Sequence, residues 1–321
     1  MGAPLRRFHV RGVAPLIYLI EYLLTRIVGG LLNLLPFSLV LRLARFVGVL
    51  IFQLSGRARR IALTNLRFVY GADKSEAEIH GIAKEAFVHL AEFGVEWLRM
   101  PQIARAPEKY LKINHVDRIH QALKKRKGAM LLVSHTGNWE IMALIGGLLI
   151  AKPIGAVIYS LARPLKNPYL YRYILRLRGM TGLKSIDKMG GVKETSARLK
   201  ENGIVCLLID QRVREGSVET DFFGRKSLTT SLPAIAARRF GTPIFFVFLH
   251  RTPDLHFVMD VEGPFPIEAT KNPKQDIQTN TQRFNDRIEA EIRKNPSQWL
   301  WMHNRWRLEV GPKDQAGGGG R

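Results

Sequence analysis

The chain has 321 residues, 46% of them hydrophobic, with 49 Lys and Arg against 27 Asp and Glu, a formal charge of +22. That length supports one large domain or two small ones with a substantial core, and the charge selects anionic partners: nucleic acid, an anionic membrane surface or an acidic carrier protein. The single cysteine, Cys206, excludes an intrachain disulfide and a multi-cysteine metal site, and its apolar surroundings at 204–209 read as a buried, inert thiol.

The first elements are apolar. Residues 12–41 carry only two charges, Glu21 and Arg26. A helix over 15–35 is long enough, at about 1.5 Å per residue, for a hydrocarbon core of roughly 30 Å. A second apolar run follows at 46–54, and no cleavage pattern marks a signal peptide. Residues 1–70 hold ten Arg and one acid, Glu21. That bias suits anionic headgroups and a cytoplasmic body. A buried helical hairpin in a soluble protein is the alternative.

After Tyr70 the pattern changes. Residues 74–100 repeat apolar side chains every three or four positions, from Ile79 to Trp97, as a helix does. Short apolar runs follow at 129–133, 154–159, 204–209, 244–249 and 257–261, and the first four are nearly free of polar side chains. Strands covered on both faces read this way, and their helix-sized spacing predicts an α/β fold with a mixed, mainly parallel sheet flanked by helices. The expected division is a membrane-anchor region at 1–60, a catalytic domain at 61–312 and a disordered tail at 313–321. Residues 227–231 read as a loop before a helix over 234–240.

The run at 129–133 leads into Ser134-His135-Thr136-Gly137-Asn138-Trp139-Glu140. Ligand sites in open α/β sheets lie beyond the carboxyl ends of the strands. Gly137 permits a tight turn, and Asn138 suits the N-cap of a helix over 139–150, with Glu140 in its first turn. A histidine here fits a general base for acyl transfer to an alcohol, and a neighbouring carboxylate fixes its tautomer. The bland alternative is a polar strand end followed by a first-turn acid.

This heptapeptide resembles the H-x4-[DE] motif of the lipid A biosynthesis (late) acyltransferase family, within the lysophospholipid-acyltransferase-like group. Further matches run in the same order: ALTNLRFVY at 62–70, YSLARPLKNPYL at 159–170, Asp210-Gln211 with Asp221-Phe222-Phe223-Gly224, and WLWMHNRW at 299–306. The resemblance implies an inner-membrane enzyme facing the cytoplasm, in bacteria, that moves a fatty acyl group from acyl carrier protein to a hydroxyl of a lipid A precursor. It implies His135 as general base, oriented by Glu140, with direct transfer in a ternary complex and no metal or cofactor; acyl-CoA is the alternative donor.

Asn138, Arg163, Arg172, Arg176, Asp210 and Gln211 are the expected substrate-binding residues. Asp210 equally fits a capping role in a turn, and the arginines equally fit a solvated basic face. Phe222 and Phe223 fit an acyl-pocket wall or, more simply, the core. The tryptophans of 299–306 fit the membrane interface or burial against the sheet. Rival functions are acylation of another glycolipid, an aminolipid, a lysophospholipid or a mannosylated lipid, and a non-enzymatic basic membrane-binding protein. No nucleic-acid-binding signature is present.

Overall fold

The computed structural model describes residues 14–162, 165–187, 191–252, 254 and 256–307. The expected tail at 313–321 and the expected binding residue Arg163 lie outside them.

Among the described residues seven strands form one sheet: β1 (Leu111–Asn114), β2 (Ala129–Val133), β3 (Ile158–Ala162), β4 (Lys184–Asp187), β5 (Ile204–Leu208), and, after a separate hairpin of β6 (Ser217–Phe222) and β7 (Arg225–Thr230), β8 (Ile244–Arg251) and β9 (Phe257–Glu262). Their order is β1-β9-β8-β2-β5-β3-β4, and every pairing is parallel except that of β8 with β9. The mixed, mainly parallel α/β sheet expected from the apolar runs is therefore present. β2 is buried at all five positions and β8 at its first six, because helices cover both sheet faces.

Sequence reading missed three features. β1 and β4 are four-residue edge strands, too short to show periodicity. The run at 227–231 is not a loop. Its first four residues belong to β7, where Ser227 and Thr229 point inward; Thr229 Oγ1 pairs with Thr220 and Asn285, and the Ser227 carbonyl accepts from Thr220 Oγ1. A strand whose inward positions are hydroxyls carries no apolar alternation to find.

The helices are α1 (Ala14–Leu34), α2 (Phe37–Leu54), α3 (Gly56–Tyr70), α4 (Glu76–Leu98), α5 (Met100–Ile103), α6 (Asp117–Leu123), α7 (Trp139–Ile145), α8 (Pro168–Gly179), α9 (Gly191–Lys200), α10 (Leu232–Phe240) and α11 (Pro273–Lys294). α4 opens with a capping box between Ser75 and Glu78. α7 stops short of the expected 150 because the chain widens into one π-turn at Gly146–Ala151.

α1 and α2 are each long and apolar enough to cross a membrane. Both also lie against the body along one side. α2 buries Val40, Leu41, Ala44 and Gly48, and a Cβ on Gly48 would sit 2.5 Å from the Cα of Val88 in α4, so only glycine allows this approach. Arg45 of α2 reaches Glu85 and Glu92 of α4. The two charges of α1 turn toward α8: Glu21 accepts from Asn167 Nδ2 at 2.8 Å, and the Arg26 guanidinium lies 4.8 Å from the ring of Tyr173. The opposite sides are apolar and exposed, with Leu16, Ile20, Leu23, Ile27 and Leu31 on α1 and Leu39, Leu43, Phe46, Leu50 and Leu54 on α2. Those spacings of three and four make one stripe per helix.

Candidate active site

β2 and β5 are neighbours in parallel register, with Val133 beside Leu208. The residues just past both strands therefore emerge together at the carboxyl edge of the sheet. Two residues beyond each strand end stand His135 and Asp210, and they meet. His135 Nδ1 lies 2.7 Å from Asp210 Oδ1, while the His135 backbone N–H donates to Asp210 Oδ2 at 2.7 Å. Trp299 Nε1–H donates to that same Oδ2 at 2.8 Å. An ionised carboxylate only accepts, so the imidazole carries its proton on Nδ1 and keeps a lone pair on Nε2. Gln211 Nε2 lies 3.2 Å from that nitrogen.

The electrostatics agree. Burial works to raise the Asp210 carboxyl, but the His135 imidazole and the hydrogen bonds from His135 and Trp299 outweigh it and hold the group at about 2. Asp210 is 1% exposed, whereas the His135 side chain is 15% exposed. The result is a buried anion behind an accessible imidazole.

The loop that carries His135 is fixed from several sides. Gly137 adopts a φ of 63°, and a Cβ there would fall 1.9 Å from the carbonyl oxygen of Leu249. Its N–H donates to Gln298 O at 3.0 Å, and Thr136 bridges to Trp299. Asn138 caps α7, its Oδ1 accepting from Ile141 N–H at 3.1 Å, while its Nδ2 donates to Glu96 at 2.8 Å. Asn138 is fully buried, so its expected contact with substrate gives way to a structural role.

Glu140 does not hold His135, which corrects the expected pairing. It stands in the first turn of α7, as expected, but its carboxylate receives a two-pronged contact from Arg178 of α8, at 2.5 Å and 3.1 Å. α8 packs beside α7, and its last turn brings Arg178 inward, where the guanidinium fork matches the carboxylate. Arg172 and Arg176 on the same helix stay exposed, Arg172 over the ring of Tyr169. The structure thus brings together His135, Asp210 and Gln211, places Glu140 with Arg178, and leaves Arg172 and Arg176 at the surface.

Trp299 is a participant that sequence reading did not assign to the site, and Arg178, expected with Arg172 and Arg176 on a basic helix that lines a glycolipid site, meets Glu140. The aromatic segment proves to be core: Trp299, Trp301 and Trp306 are buried with Phe222 and Phe223 against the sheet. Cys206 is buried, and burial pushes its thiol up to about 12, so it is unreactive as expected.

A parallel-rich α/β sheet carries a His–carboxylate pair at its carboxyl edge, two helices apolar enough to cross a membrane stand at its start, and by family the chain is an acyltransferase. The chain belongs to the bacterial lipid A biosynthesis acyltransferase family, whose profile matches residues 10–308. Among curated relatives, a phosphatidylinositol mannoside acyltransferase of Mycolicibacterium smegmatis is 24% identical over 73% of this chain and 75% of its own length. A protein of that description from Mycobacterium tuberculosis is 25% identical over 64% of this chain and 62% of its own length. A lipid A biosynthesis palmitoleoyltransferase of Escherichia coli is 24% identical over 85% of this chain and 86% of its own length.

Proposed function

We propose that this acyltransferase moves a fatty acyl chain from acyl carrier protein to a hydroxyl of a lipid A precursor at the inner membrane. The observation that carries the chemistry is the His135–Asp210 pair, with Nδ1 held by the carboxylate and the Nε2 lone pair facing Gln211. His135 Nε2 takes the proton of the acceptor hydroxyl as its oxygen attacks the thioester carbonyl. The C–O bond forms, the tetrahedral intermediate collapses with loss of the C–S bond, and the imidazolium returns its proton to the leaving sulfur. Asp210 stabilises the imidazolium between those steps. Gln211 orients the hydroxyl beside Nε2. No cofactor enters this cycle.

Glu140 has a different part in this reading: it braces Arg178, and with it the seam between α7 and α8 that borders the site. Arg172 and Arg176 supply an exposed basic face for an anionic headgroup or the acidic carrier. The loop after Gln211 adds to it, since desolvation and the proximity of Arg307 and Arg214 lower the Arg212 guanidinium. Positive charges this close favour an incoming anion.

α1 and α2 hold the chain at the membrane in the plane of the interface. A helix with one side packed on the body and the other a continuous apolar stripe dips into the headgroup–acyl boundary, as amphipathic anchors do. The body then faces the cytoplasm, where the carrier protein is.

The two kinds of relative favour a second acceptor, a mannosylated phosphatidylinositol. Purified enzyme incubated with acyl carrier protein thioesters and each lipid, with mass spectrometry of the products, decides between them. One added acyl chain on the lipid A precursor, absent with His135→Ala, supports the reading. Acylation confined to the mannoside replaces the acceptor and keeps the mechanism. Full activity of His135→Ala discards the mechanism.

A further inference from the structure

α4 turns His89, Glu92 and Glu96 to one side, spaced by three and four residues, and all three are buried. Arg251, at the end of β8, fills the space between them. Its Nη1 donates to Glu92 at 2.6 Å and to His89 Nδ1 at 2.9 Å, and its Nε donates to Glu96 at 2.8 Å. Its backbone is held as well, with the N–H and C=O both bonded to the Gln298 side chain. The Arg251 side chain is 8% exposed.

Each acceptor passes the constraint onward to the His135 loop. With Nδ1 accepting from Arg251, His89 carries its proton on Nε2 and donates it to Gly137 O at 3.1 Å. Burial, then the Arg251 guanidinium, holds His89 down at about 3, so the ring is neutral and its tautomer is single. Glu96 spends one oxygen on Arg251 and the other on Asn138 Nδ2. Gly137 and Asn138 directly follow the residues that place the imidazole. Gln298 closes the circle, because its own carbonyl accepts from Gly137 N–H.

We infer that Arg251 is a positioning residue for the reaction: through His89 and Glu96 it fixes Gly137 and Asn138, and so the place of His135 opposite Asp210. This rests on reading His135 as the base. A buried charge triad of this kind contributes little net stability over an apolar filling of equal volume, so conformational specificity is the property it supplies here. Small displacements of a catalytic group cost far more rate than binding.

The test uses the full chain in lipid nanodiscs. Arg251→Lys keeps the charge and loses the fork; Glu96→Gln keeps the shape but offers one acceptor to two donors. Both variants are expected to lower kcat about tenfold to a hundredfold, with KM for donor and acceptor within about threefold of wild type. Hydrogen exchange at the amides of Gly137, Ile141 and Met142 should quicken while β2 and β5 stay protected. The downfield Nδ1 proton of His135 should shift. A native-like fold with kcat within about twofold of wild type and unchanged loop exchange overturns the inference. So does protection lost evenly across the sheet in both variants, which marks a merely structural role. If Arg251→Lys does not fold, Glu96→Gln decides alone by the same readings. If wild type acylates neither acceptor, the functional reading fails, while loop exchange and the His135 proton still judge Arg251.

Discussion

Two side-chain pairs border this site among the described residues, and they are built on different supports. His135–Asp210 joins the ends of two hydrogen-bonded strands in the middle of a seven-stranded sheet. Glu140–Arg178 joins two helices that flank it, with each side chain about 15% exposed. Parallel neighbours in a sheet fix their ends relative to each other through the ladder itself, whereas helices pack through side chains and shift by ångströms at modest cost. The strand-end pair therefore suits proton transfer, which needs donor and acceptor held within hydrogen-bond reach, and the helix pair suits a wall that admits different lipids. The difference teaches where to look for the partner of a motif histidine: along the sheet edge before along the sequence.

The largest expected effect is on the imidazole. His135→Ala should lower kcat by about 10³ to 10⁴, measured by product mass, and should also lower the melting temperature, because Asp210 stays buried without its imidazole partner. Asp210→Asn keeps the shape but presents Nδ2–H or a neutral oxygen to Nδ1, so tautomer control is lost. Its kcat should fall by about 10² to 10⁴, as for the carboxylate of other catalytic triads. Glu140→Gln should act more gently, by about tenfold, because a hydrogen bond to Arg178 survives; its effect should fall partly on KM for the lipid. If Glu140→Gln proves the more damaging of the two carboxamides, the roles assigned to the two pairs are reversed.

The helix side has a second consequence, at the membrane. Phe46 and Leu50 lie one turn apart on the exposed stripe of α2, 70% and 41% exposed. Phe46→Glu with Leu50→Glu should leave melting unchanged and weaken binding to anionic vesicles by at least tenfold, since each large apolar side chain returned to water forfeits about 1.5–3 kcal/mol. Unchanged partitioning in a sedimentation assay would break the in-plane reading of α1 and α2.

Much of this was legible locally. β2 was read to the residue because five buried positions in a row leave no ambiguity of face. The turn at Gly137 and the cap at Asn138 follow from residues that permit few other backbones. What stayed hidden was long-range. Asp210 lies 75 residues from His135, and no spacing rule joins them. Their pairing depends on β2 and β5 being adjacent in the sheet, a matter of strand order that apolar runs do not encode. One signal was available: both runs are wholly apolar and both end in polar residues, Ser134-His135 and Asp210-Gln211. Two such ends on one parallel sheet share an edge. The partner of Glu140 was hidden differently, since Arg178 belongs to a helix with three arginines and only packing decides which one turns inward.

A last comparison separates two buried groups by the acidity at which each yields. His89, depressed by burial and then by Arg251 to about 3, titrates near 6.5 once unfolded. Between those values the unfolded chain binds the proton and the folded chain does not, so stability falls as pH drops from 6.5 and levels near 3. Asp210, at about 2 in the fold against 3.8 unfolded, adds its loss lower down. Its contribution is whole above 3.8 and disappears as pH falls through 2, on the order of 2 kcal/mol. Denaturant unfolding at stepped pH should therefore show two windows. His89→Gln, which offers both a donor to Gly137 and an acceptor to Arg251, should flatten the slope between 6.5 and about 4 and leave the lower window alone. Asp210→Asn should reduce the slope only in the lower window, where Glu291, also held at about 2, keeps the remainder. A variant that flattens both would mean that the α4 network and the strand-end pair yield together, and the sheet edge would then have to be treated as one electrostatic unit with its supporting helix.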